Sequence, residues 1–265
     1  MAVTESGSFD PNIPNVARMY DYFLGGKDNF PADRAAGDQV LKIVPHIPVG
    51  ARENRAFLGR AVRFLAANGI RQFLDIGAGL PTQQNVHQVA ERAAPSARTV
   101  YVDNDPQVLA HARALLSDSP NVRVLQGDLR NPRAIIDHPE LRGHLDLGRP
   151  VAVLLLAIVH FVRADPKPIV EELMASLAPG SYLVLSHVCS DIQPEAVPGV
   201  EKIYRGASAG FTARPSSEII SLFDALELVE PGVVNLPEWR TDLVDFAPTF
   251  AGARPYFLCG VARKP

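Results

Sequence analysis

Short apolar, β-branched runs alternate with amphipathic stretches along most of this chain. The strand-like runs number seven, at 72–76, 99–103, 122–126, 151–156, 182–187, 228–234 and 256–262. Helical periodicity separates most of them, at 84–94, 106–117, 132–137, 166–177 and 216–226. Strands joined by such helices predict an α/β fold with a mostly parallel sheet. The last two runs have no helix between them, which predicts an antiparallel pair at one edge.

A helical extension precedes the first strand. The apolar residues of its first helix fall on one face: Val16, Met19, Tyr20, Phe23 and Leu24. Two further helices are predicted over 31–44 and 50–68. We therefore expect a helical extension over 1–70 and one α/β domain over 71–265. Within that domain, residues 190–214 are rich in Pro, Gly and Ser, and a loop of this length is a candidate lid.

Composition and charge limit the classes of binding partner and the cellular compartment that we expect. The chain has 265 residues, 47% of them hydrophobic, and a formal net charge of -3, which gives no general attraction to nucleic acid or to an anionic membrane. The longest apolar run, 151–159, is about half of a membrane span. The amino terminus lacks the pattern of a signal peptide, and Cys189 and Cys259 form no disulfide framework. We expect a soluble, cytoplasmic protein.

The turn after the first strand carries the main chemical feature. Residues 73–82 read Phe-Leu-Asp-Ile-Gly-Ala-Gly-Leu-Pro-Thr. Gly77 and Gly79 let the backbone turn sharply and approach a ligand closely. Many such turns are purely structural, but at the carboxyl end of a strand in an open α/β sheet they also bind ligands. Asp75 would repel a pyrophosphate and would suit a positively charged ligand.

Two more carboxylates follow strand ends. Asp103 closes the second strand, where an acid accepts hydrogen bonds from ribose hydroxyls, and Asp128 follows the third, where an acid accepts from the adenine amine. Either could instead cap a loop. Together with the glycine turn they favour an adenosine cofactor. A dinucleotide fingerprint needs a third glycine where Thr82 stands, so S-adenosylmethionine, which is cationic and has no phosphate, fits better than NAD.

These motifs resemble a known class of enzymes. The run 73–79 is similar to motif I of the class I S-adenosylmethionine-dependent methyltransferases, 102–106 to their second motif and 127–129 to their third. The segment 16–30, Val-Ala-Arg-Met-Tyr-Asp-Tyr-Phe-Leu-Gly-Gly-Lys-Asp-Asn-Phe, resembles the opening signature of the bacterial S-adenosyl methyltransferase family, formerly described as a domain of unknown function. The resemblance covers almost the whole chain. It implies a Rossmann-like fold with a seven-stranded sheet and an enzyme that transfers a methyl group.

The resemblance also implies where the cofactor binds. The methionine part would be held by Asp75, Gly77, Ala78 and Gly79, and the ribose by Asp103. The adenine would be contacted by Asn104, Asp128 and Leu129. The end of the fourth strand would line the sulfonium with Ala157 and Ile158. Many relatives have a polar or acidic residue there, and this chain has Leu156-Ala157 instead. The amino-terminal signature would cover the cofactor through Tyr22, Gly26 and Asn29.

No residue type or spacing identifies a catalytic group. Methyl transfer needs a general base only when the acceptor is protonated, and the candidates are His160, His187 and Tyr204. Each histidine could equally be structural. We expect no metal. The leading hypothesis is a methyltransferase acting on an unidentified small molecule. The alternatives are a non-catalytic S-adenosylmethionine-binding sensor or partner subunit and an NAD(P)-dependent oxidoreductase, and the oligomeric state stays open.

Overall fold

A computed structural model describes residues 10–81, 85–116, 119–241 and 256–265. Thr82, predicted to end the glycine turn, and the predicted helix ends at 84 and 117 lie outside the described residues. The helices, in chain order, are α1 Val16–Leu24, α2 Pro31–Ile43, α3 Ile47–Ala67, α4 Val86–Ala93, α5 Pro106–Leu116, α6 Pro132–Ile136, α7 Pro139–His144, α8 Lys167–Ala175, α9 Val197–Tyr204 and α10 Ser216–Ser221. The strands are β1 Gln72–Ile76, β2 Arg98–Asp103, β3 Val122–Gln126, β4 Ala152–Leu156, β5 Tyr182–Val188, β6 Glu227–Leu228, β7 Val234–Asn235 and β8 Phe257–Arg263.

All the described strands belong to one sheet, whose order is β3-β2-β1-β4-β5-β8-β6, with β7 also paired to β8. Strands β1 to β5 are parallel, and β8 runs antiparallel to β5, from Tyr182 paired with Arg263 to Val188 paired with Phe257. This confirms the mostly parallel sheet with an antiparallel edge. The strand order reverses between β1 and β4, so the carboxyl ends of these two strands open a crevice where ligands bind in such sheets.

The predicted count of seven strands is wrong, because the described chain forms eight. The expected strand 228–234 is split into β6 and β7. Pro231 lacks a backbone N–H for the ladder, and Gly232 has a φ of 87°. Leu228 therefore pairs with Ala262, while Val234 pairs with Cys259 further along the same strand.

Strand β1 shows how the alternating pattern divides the core. Leu74 and Ile76 are buried in the hydrophobic cluster on one face of the sheet. Phe73 is buried on the other face, against α3 and α4. Successive side chains of a strand point to opposite faces, so Asp75 shares the face of Phe73. A carboxyl group is thereby built into an apolar layer, close to the end of the strand.

The amino-terminal helices pack over the carboxyl ends of these strands. Helix α1 begins at the cap Asn15, whose side chain accepts from the N–H groups of Ala17 and Arg18, and it ends at Gly25 with a φ of 80°. Met19 and Phe23 form a third apolar cluster with residues of α2 and α9. Helix α2 has Phe30 at its N-cap position, and the Phe30 N–H donates to the Asp33 carboxylate at 2.8 Å.

Two helices of the structure were not predicted. Helix α7 lies between the helix predicted over 132–137 and the fourth strand. Helix α9 lies inside 190–214, the candidate lid, so that segment is partly helical. Both are short, eight residues or fewer, and begin with proline in their first turn. A helix of that length gives little periodic signal. Among the helices that the structure describes, none combines the length and apolar composition that a membrane crossing requires.

Candidate active site

A cavity of about 530 Å³ lies at the carboxyl ends of the parallel strands, beneath α1 and α9. Its lining changes character along the chain. Residues from Asp10 to Gln126 include all of the described charged groups that line it, and we call them the acidic half. Residues from Leu156 to Phe257 supply most of its aromatic and imidazole rings, and we call them the aromatic half. The charged members of the acidic half are Asp10, Arg18, Asp21, Arg55, Asp75, Asp103 and Asp105.

The glycine turn belongs to the acidic half and approaches the aromatic half at Ile158. Gly77 has a φ of 77°, and a Cβ on it would lie 2.4 Å from Cγ1 of Ile158. Its N–H donates to the Val102 carbonyl at 2.8 Å, which ties the turn to the end of β2. Gly79 has a φ of 64°, and a Cβ on it would meet no atom of the described chain within 4 Å. Glycine is therefore required at 77 by both space and conformation, and at 79 by conformation.

Asp103 fixes the next loop. Its Oδ2 accepts the N–H of Gly79 at 3.0 Å and its Oδ1 accepts the N–H of Asp105 at 2.9 Å. Burial raises the pKa of this carboxyl, while the backbone donors lower it. Each carboxylate oxygen has capacity for a second hydrogen bond. Asp103 therefore orders the turn and still has acceptors for a pair of hydroxyls.

Asp75 is the exceptional group of the acidic half. Its side chain lines the cavity, yet the residue is only 6% exposed. In the described part of the chain no donor reaches its carboxyl oxygens. Burial raises the pKa of Asp75 to about 7, with Arg55 opposing the rise and Asp103 adding to it. A buried carboxyl without a hydrogen bond is costly unless a ligand supplies a partner, and a cationic donor supplies the best one.

Only some of the residues that were predicted to contact the adenine line the cavity. Asn104 and Gln126 line it, whereas Asp128 and Leu129 do not. Asp128 is held by Arg130, whose Nε lies 2.9 and 3.0 Å from its two oxygens. Arg130 lowers the pKa of Asp128, and a hydrogen bond from Asn104 contributes less. Leu129 is buried in the core.

The three amino-terminal residues predicted to contact the cofactor are not among the lining residues. The Tyr22 hydroxyl donates to Asp38 at 2.7 Å on an exposed surface. The loop containing Gly26 and Asn29 folds back on Asp21, whose carboxylate accepts the side-chain amide of Asn29 at 2.9 Å. A Cβ on Gly26 would lie 1.9 Å from Oδ1 of Asp21. The signature thus orders Asp21, which does line the cavity.

A polar clamp joins α1 to the loop after Asp103, and no sequence pattern predicts it. The Asn15 amide donates to the Asp105 carboxylate, and Nη1 of Arg18 donates to Gln107 at 2.7 Å. Arg18 also pairs with Asp33 at 2.6 Å, and both side chains are at most 4% exposed. An asparagine followed three residues later by an arginine is common in helices, so only the fold identifies this pair as a site feature.

At the end of β4, Ala157 takes the positive φ of 54°. Its N–H donates to the Ser186 hydroxyl at 2.9 Å, and Ser186 donates to Oδ1 of Asn54 at 2.6 Å. Asn54 in turn donates to the Tyr20 hydroxyl at 3.0 Å, and Tyr20 donates to the Ala51 carbonyl at 3.1 Å. This hydrogen-bonded relay connects β4, β5, α3 and α1. It holds Ala157 in an unfavourable conformation at the boundary of the two halves.

His160 is the outstanding group of the aromatic half. It follows β4, lines the cavity and is 4% exposed. Nδ1 is buried without a hydrogen-bond partner, and in the described chain no partner reaches Nε2 either. Burial, and then the nearby His187 and Arg214, hold the pKa of His160 well below its ordinary value. The imidazole is therefore neutral at physiological pH, and neither nitrogen is hydrogen-bonded within the described chain.

His187, by contrast, is committed to the fold. Its Nδ1 lies 2.8 Å from the Val188 carbonyl, and Nη1 of Arg214 lies 3.0 Å from its Nε2. Arginine can only donate, so Nε2 accepts and Nδ1 carries the proton. Burial lowers the pKa of His187 to about 4. The residue does not line the cavity, and both of its nitrogens are used.

Aromatic rings surround His160. Phe161 and Phe211 have ring centroids 4.5 and 5.2 Å from the imidazole, and Phe257 lies at 6.1 Å. Tyr204 stacks on Phe211 at 5.3 Å with the planes inclined by 28°. Burial raises the pKa of the Tyr204 hydroxyl, which makes no hydrogen bond in the described chain. The structure thus brings His160 and Tyr204 to the cavity, but not His187.

The comparison with protein families decides the class of this site. The family described as S-adenosyl methyltransferase matches residues 2–265. The chain belongs to the S-adenosyl methyltransferase family. No curated protein matches it. Two crystal structures are similar throughout. A DUF574 family protein from Streptomyces avermitilis is 43% identical, with a TM-score of 0.89 over 97% of this chain and 99% of that one.

The second similar crystal structure, of a protein from Thermobifida fusca, is also 43% identical to this chain, with a TM-score of 0.88 over 96% of each chain. The plantazolicin methyltransferase BamL, solved with S-adenosylhomocysteine and a triazolic desmethylPZN analogue, is only 12% identical. It has a TM-score of 0.52 over 94% of this chain and 95% of that one, and it shares the fold alone. The chain is a class I Rossmann-like methyltransferase, and S-adenosylmethionine is its cofactor.

The residues of this S-adenosyl methyltransferase fit that cofactor. A cationic ligand without phosphate suits a wall that holds a donorless buried carboxyl at Asp75 and a second acid at Asp103. The cavity has room for a ligand of this size and for a second small molecule. In the described chain, no group of three or more His, Cys, Asp or Glu residues is arranged to hold a metal.

Proposed function

We propose that this methyltransferase methylates a small molecule that binds in the aromatic half of the cavity and hydrogen-bonds to His160. One observation carries the proposal. His160 is 4% exposed and borders the cavity, yet neither ring nitrogen has a partner in the described chain. A structural histidine buried this deeply is expected to be hydrogen-bonded, as His187 is. An imidazole without partners at a cavity wall is expected to meet them in a ligand.

The acidic half is proposed to hold the cofactor. Asp75 would accept the amino group of its methionine part, and Asp103 the ribose hydroxyls, with Asn104 towards the adenine. When bound, S-adenosylmethionine supplies an electrophilic methyl group on a positively charged sulfur. The role of the aromatic half is to present an acceptor atom to it, because positioning supplies much of the rate of a displacement between two bound molecules.

Three elements support that positioning. Ala157, held by Ser186, sets the floor between the two halves. The extension over 1–70 is proposed to cover the cofactor through α1, and 190–214 to cover the acceptor through α9. The two covers touch each other, since the Val16 N–H donates to the Ser208 hydroxyl at 3.1 Å and the Ser208 N–H to the Pro14 carbonyl at 2.8 Å. Together they would exclude water from the reaction.

The proposal is tested by separating binding from transfer. The protein is incubated with radiolabelled S-adenosylmethionine and a protein-free metabolite extract, and label in small molecules is counted. His160→Ala should lower transfer at least about tenfold, because a lost hydrogen bond in a dry site misplaces the acceptor. Its affinity for S-adenosylhomocysteine, measured by calorimetry, should stay within about twofold of the native value, since the acidic half is intact.

His46→Ala is the matched control, because His46 is exposed at the start of α3 and makes no side-chain cap. It should behave as the native protein in both assays. Full transfer by His160→Ala would contradict the proposal. So would label that appears only in macromolecules when an unfractionated extract is used.

A further inference from the structure

The lining of the aromatic half indicates the chemical class of the acceptor as well as its size. This inference about the acceptor rests on the proposed function. In the part of the chain that the structure describes, the lining residues from Leu156 onward include no Asp, Glu, Lys or Arg. Their polar groups are few and electrically neutral. Besides His160 and Tyr204 they are Cys189, Gln193, Ser208 and Tyr256. An acceptor bound here would be removed from water without a charged partner.

A permanent charge behind the wall acts against cations. The Arg214 guanidinium is 4% exposed, lies 3.0 Å from His187 and lowers the pKa of His160. A cationic acceptor beside His160 would feel the same repulsion. Aromatic rings attract cations by about 0.5–2 kcal/mol, but an ammonium also loses its hydration in a site that offers no carboxylate.

The same guanidinium does not serve an anion. Nη2 of Arg214 donates to the carbonyls of Val162 and Ala164 at 2.7 and 2.9 Å, and Nη1 is shared between His187 and the Val159 carbonyl. Glu218 lies 3.8 Å from Nε. The fork that would bind a carboxylate or phosphate is therefore occupied by the protein itself. Charged acceptors of either sign are disfavoured.

Shape points to a flat molecule. Phe161, Tyr204 and Phe211 present ring surfaces whose centroids are 5.3 to 6.4 Å apart, and His160 lies against two of them. Such surfaces bind a planar ring by offset stacking or edge contacts. A saturated molecule of equal size would bury similar area without that geometry. Val197 and Val200 of α9 add apolar lining beside these rings.

We infer that the methyl acceptor is an uncharged, planar aromatic molecule whose ring N–H or phenolic O–H hydrogen-bonds to His160. The acceptor's nitrogen or oxygen forms the new bond to the methyl carbon. The methyl–sulfur bond breaks with its electron pair left on sulfur, and the acceptor's proton passes along its hydrogen bond to His160 and then to solvent. A neutral imidazole nitrogen orients such a group by accepting its hydrogen bond.

Four probes of nearly equal size test this inference: naphthol, naphthoate, naphthylmethylammonium and decahydronaphthol. Binding of each to the protein saturated with S-adenosylhomocysteine is measured by calorimetry, and methyl transfer by labelling. Naphthol should bind about tenfold more tightly than each of the other three, in line with one lost hydrogen bond or stacking contact. Phe211→Leu should weaken naphthol about fivefold and decahydronaphthol by less than twofold.

Tyr182→Phe is the control, because Tyr182 is buried at the start of β5, at the opposite end of the strand from the cavity, and should leave all four affinities unchanged. Tightest binding of the cation, the anion or the saturated alcohol would overturn the inference. Absence of binding by all four would do the same. These results would leave the proposed function standing as long as S-adenosylhomocysteine binds and His160→Ala still loses transfer. If S-adenosylhomocysteine does not bind, or if His160→Ala keeps full transfer, the proposed function itself is contradicted.

Discussion

The two halves of the cavity differ in charge, and the difference separates what the protein holds fixed from what it selects. The acidic half presents Asp75 and Asp103 around a glycine turn, and it suits a cationic adenosyl compound. The aromatic half presents His160 among rings and has no charged lining residue in the described chain. Charge therefore sorts the two ligands. A cation is attracted to one side and repelled from the other, so the cofactor and the acceptor do not compete for the same wall.

The largest expected effect concerns Asp103. Asp103→Asn keeps one oxygen for the turn but replaces the other acceptor and the charge. Loss of two charge-assisted hydrogen bonds to ribose should weaken S-adenosylhomocysteine about hundredfold or more, measured by calorimetry. Asp224→Asn, at an exposed ion pair with Lys167, should change nothing. Affinity within threefold of native for Asp103→Asn would contradict the division into halves.

A pH dependence of about tenfold per unit is expected from Asp75. Its pKa of about 7 lies above the ordinary value because of burial, and the ionised form is the one that holds a cation. Affinity for S-adenosylhomocysteine should therefore rise about tenfold per pH unit up to pH 7 and level off above it. Binding below pH 7 should release a proton, seen as a buffer-dependent enthalpy.

The Asp75→Asn variant isolates this contribution. Other acids of the cavity, including Asp103, stay in place, and the pKa of His160 and of His187 is already lowered out of this range. The variant should bind weakly and lose the steep part of the profile. An unchanged slope would assign the dependence to another group and would contradict the role of Asp75.

A smaller effect, about five- to tenfold in kcat, is expected where the halves meet. Ser186→Ala leaves the Asn54 amide oxygen without its donor and leaves the Ala157 N–H with the Ser186 carbonyl at 3.2 Å alone, which should cost about 1–3 kcal/mol in urea unfolding. Transfer should suffer more than cofactor affinity. Ser181→Ala is closely matched, because Ser181 accepts the Val151 N–H at 3.1 Å at the other end of β4. It should cost similar stability and leave kcat intact.

The smallest effect is kinetic. Asn15→Ala removes the bond from α1 to Asp105 in the acidic half together with the side-chain cap of α1, and Ser208→Ala removes the bond from 190–214 to Val16. Each bond contributes about 1 kcal/mol, so we expect the dissociation rate of S-adenosylhomocysteine to rise about threefold to fivefold for Asn15→Ala. Ser208→Ala should leave that rate unchanged. Stopped-flow competition measures both, and equal rates would mean that α1 does not cover the cofactor.

The same contrast explains what the sequence could predict. Asp75, Gly77, Gly79 and Asp103 each lie at or just after the carboxyl end of a strand within a short motif, so local pattern and residue type were enough to propose an acidic site for a cationic ligand. The alternation of strand-like and helical stretches also predicted β1 to β5 and their parallel arrangement. His160 was a candidate only because it follows the fourth strand, and nothing local distinguished it from His187.

The aromatic half could not be predicted in this way. The relay bond between Ser186 and Asn54 joins residues 132 positions apart, and no periodicity records such a pair. Helix α9 is eight residues long and contains a proline and a glycine, so its helical signal is weak. The prediction of a single strand over 228–234 is wrong because a turn at Pro231 and Gly232 divides that segment into two short strands. Contacts made by tertiary packing, rather than by local pattern, build this half of the site.

A crystal structure of the complex with S-adenosylhomocysteine would decide whether the cavity is divided in this way. We expect the amino group of the ligand within hydrogen-bond distance of the Asp75 carboxylate and the ribose hydroxyls on Asp103. We also expect that neither nitrogen of His160 touches the ligand and that the part of the cavity lined by Phe161 and Phe211 stays open for an acceptor. A ligand whose adenine or methionine part fills that part of the cavity, or hydrogen-bonds to His160, would contradict the division.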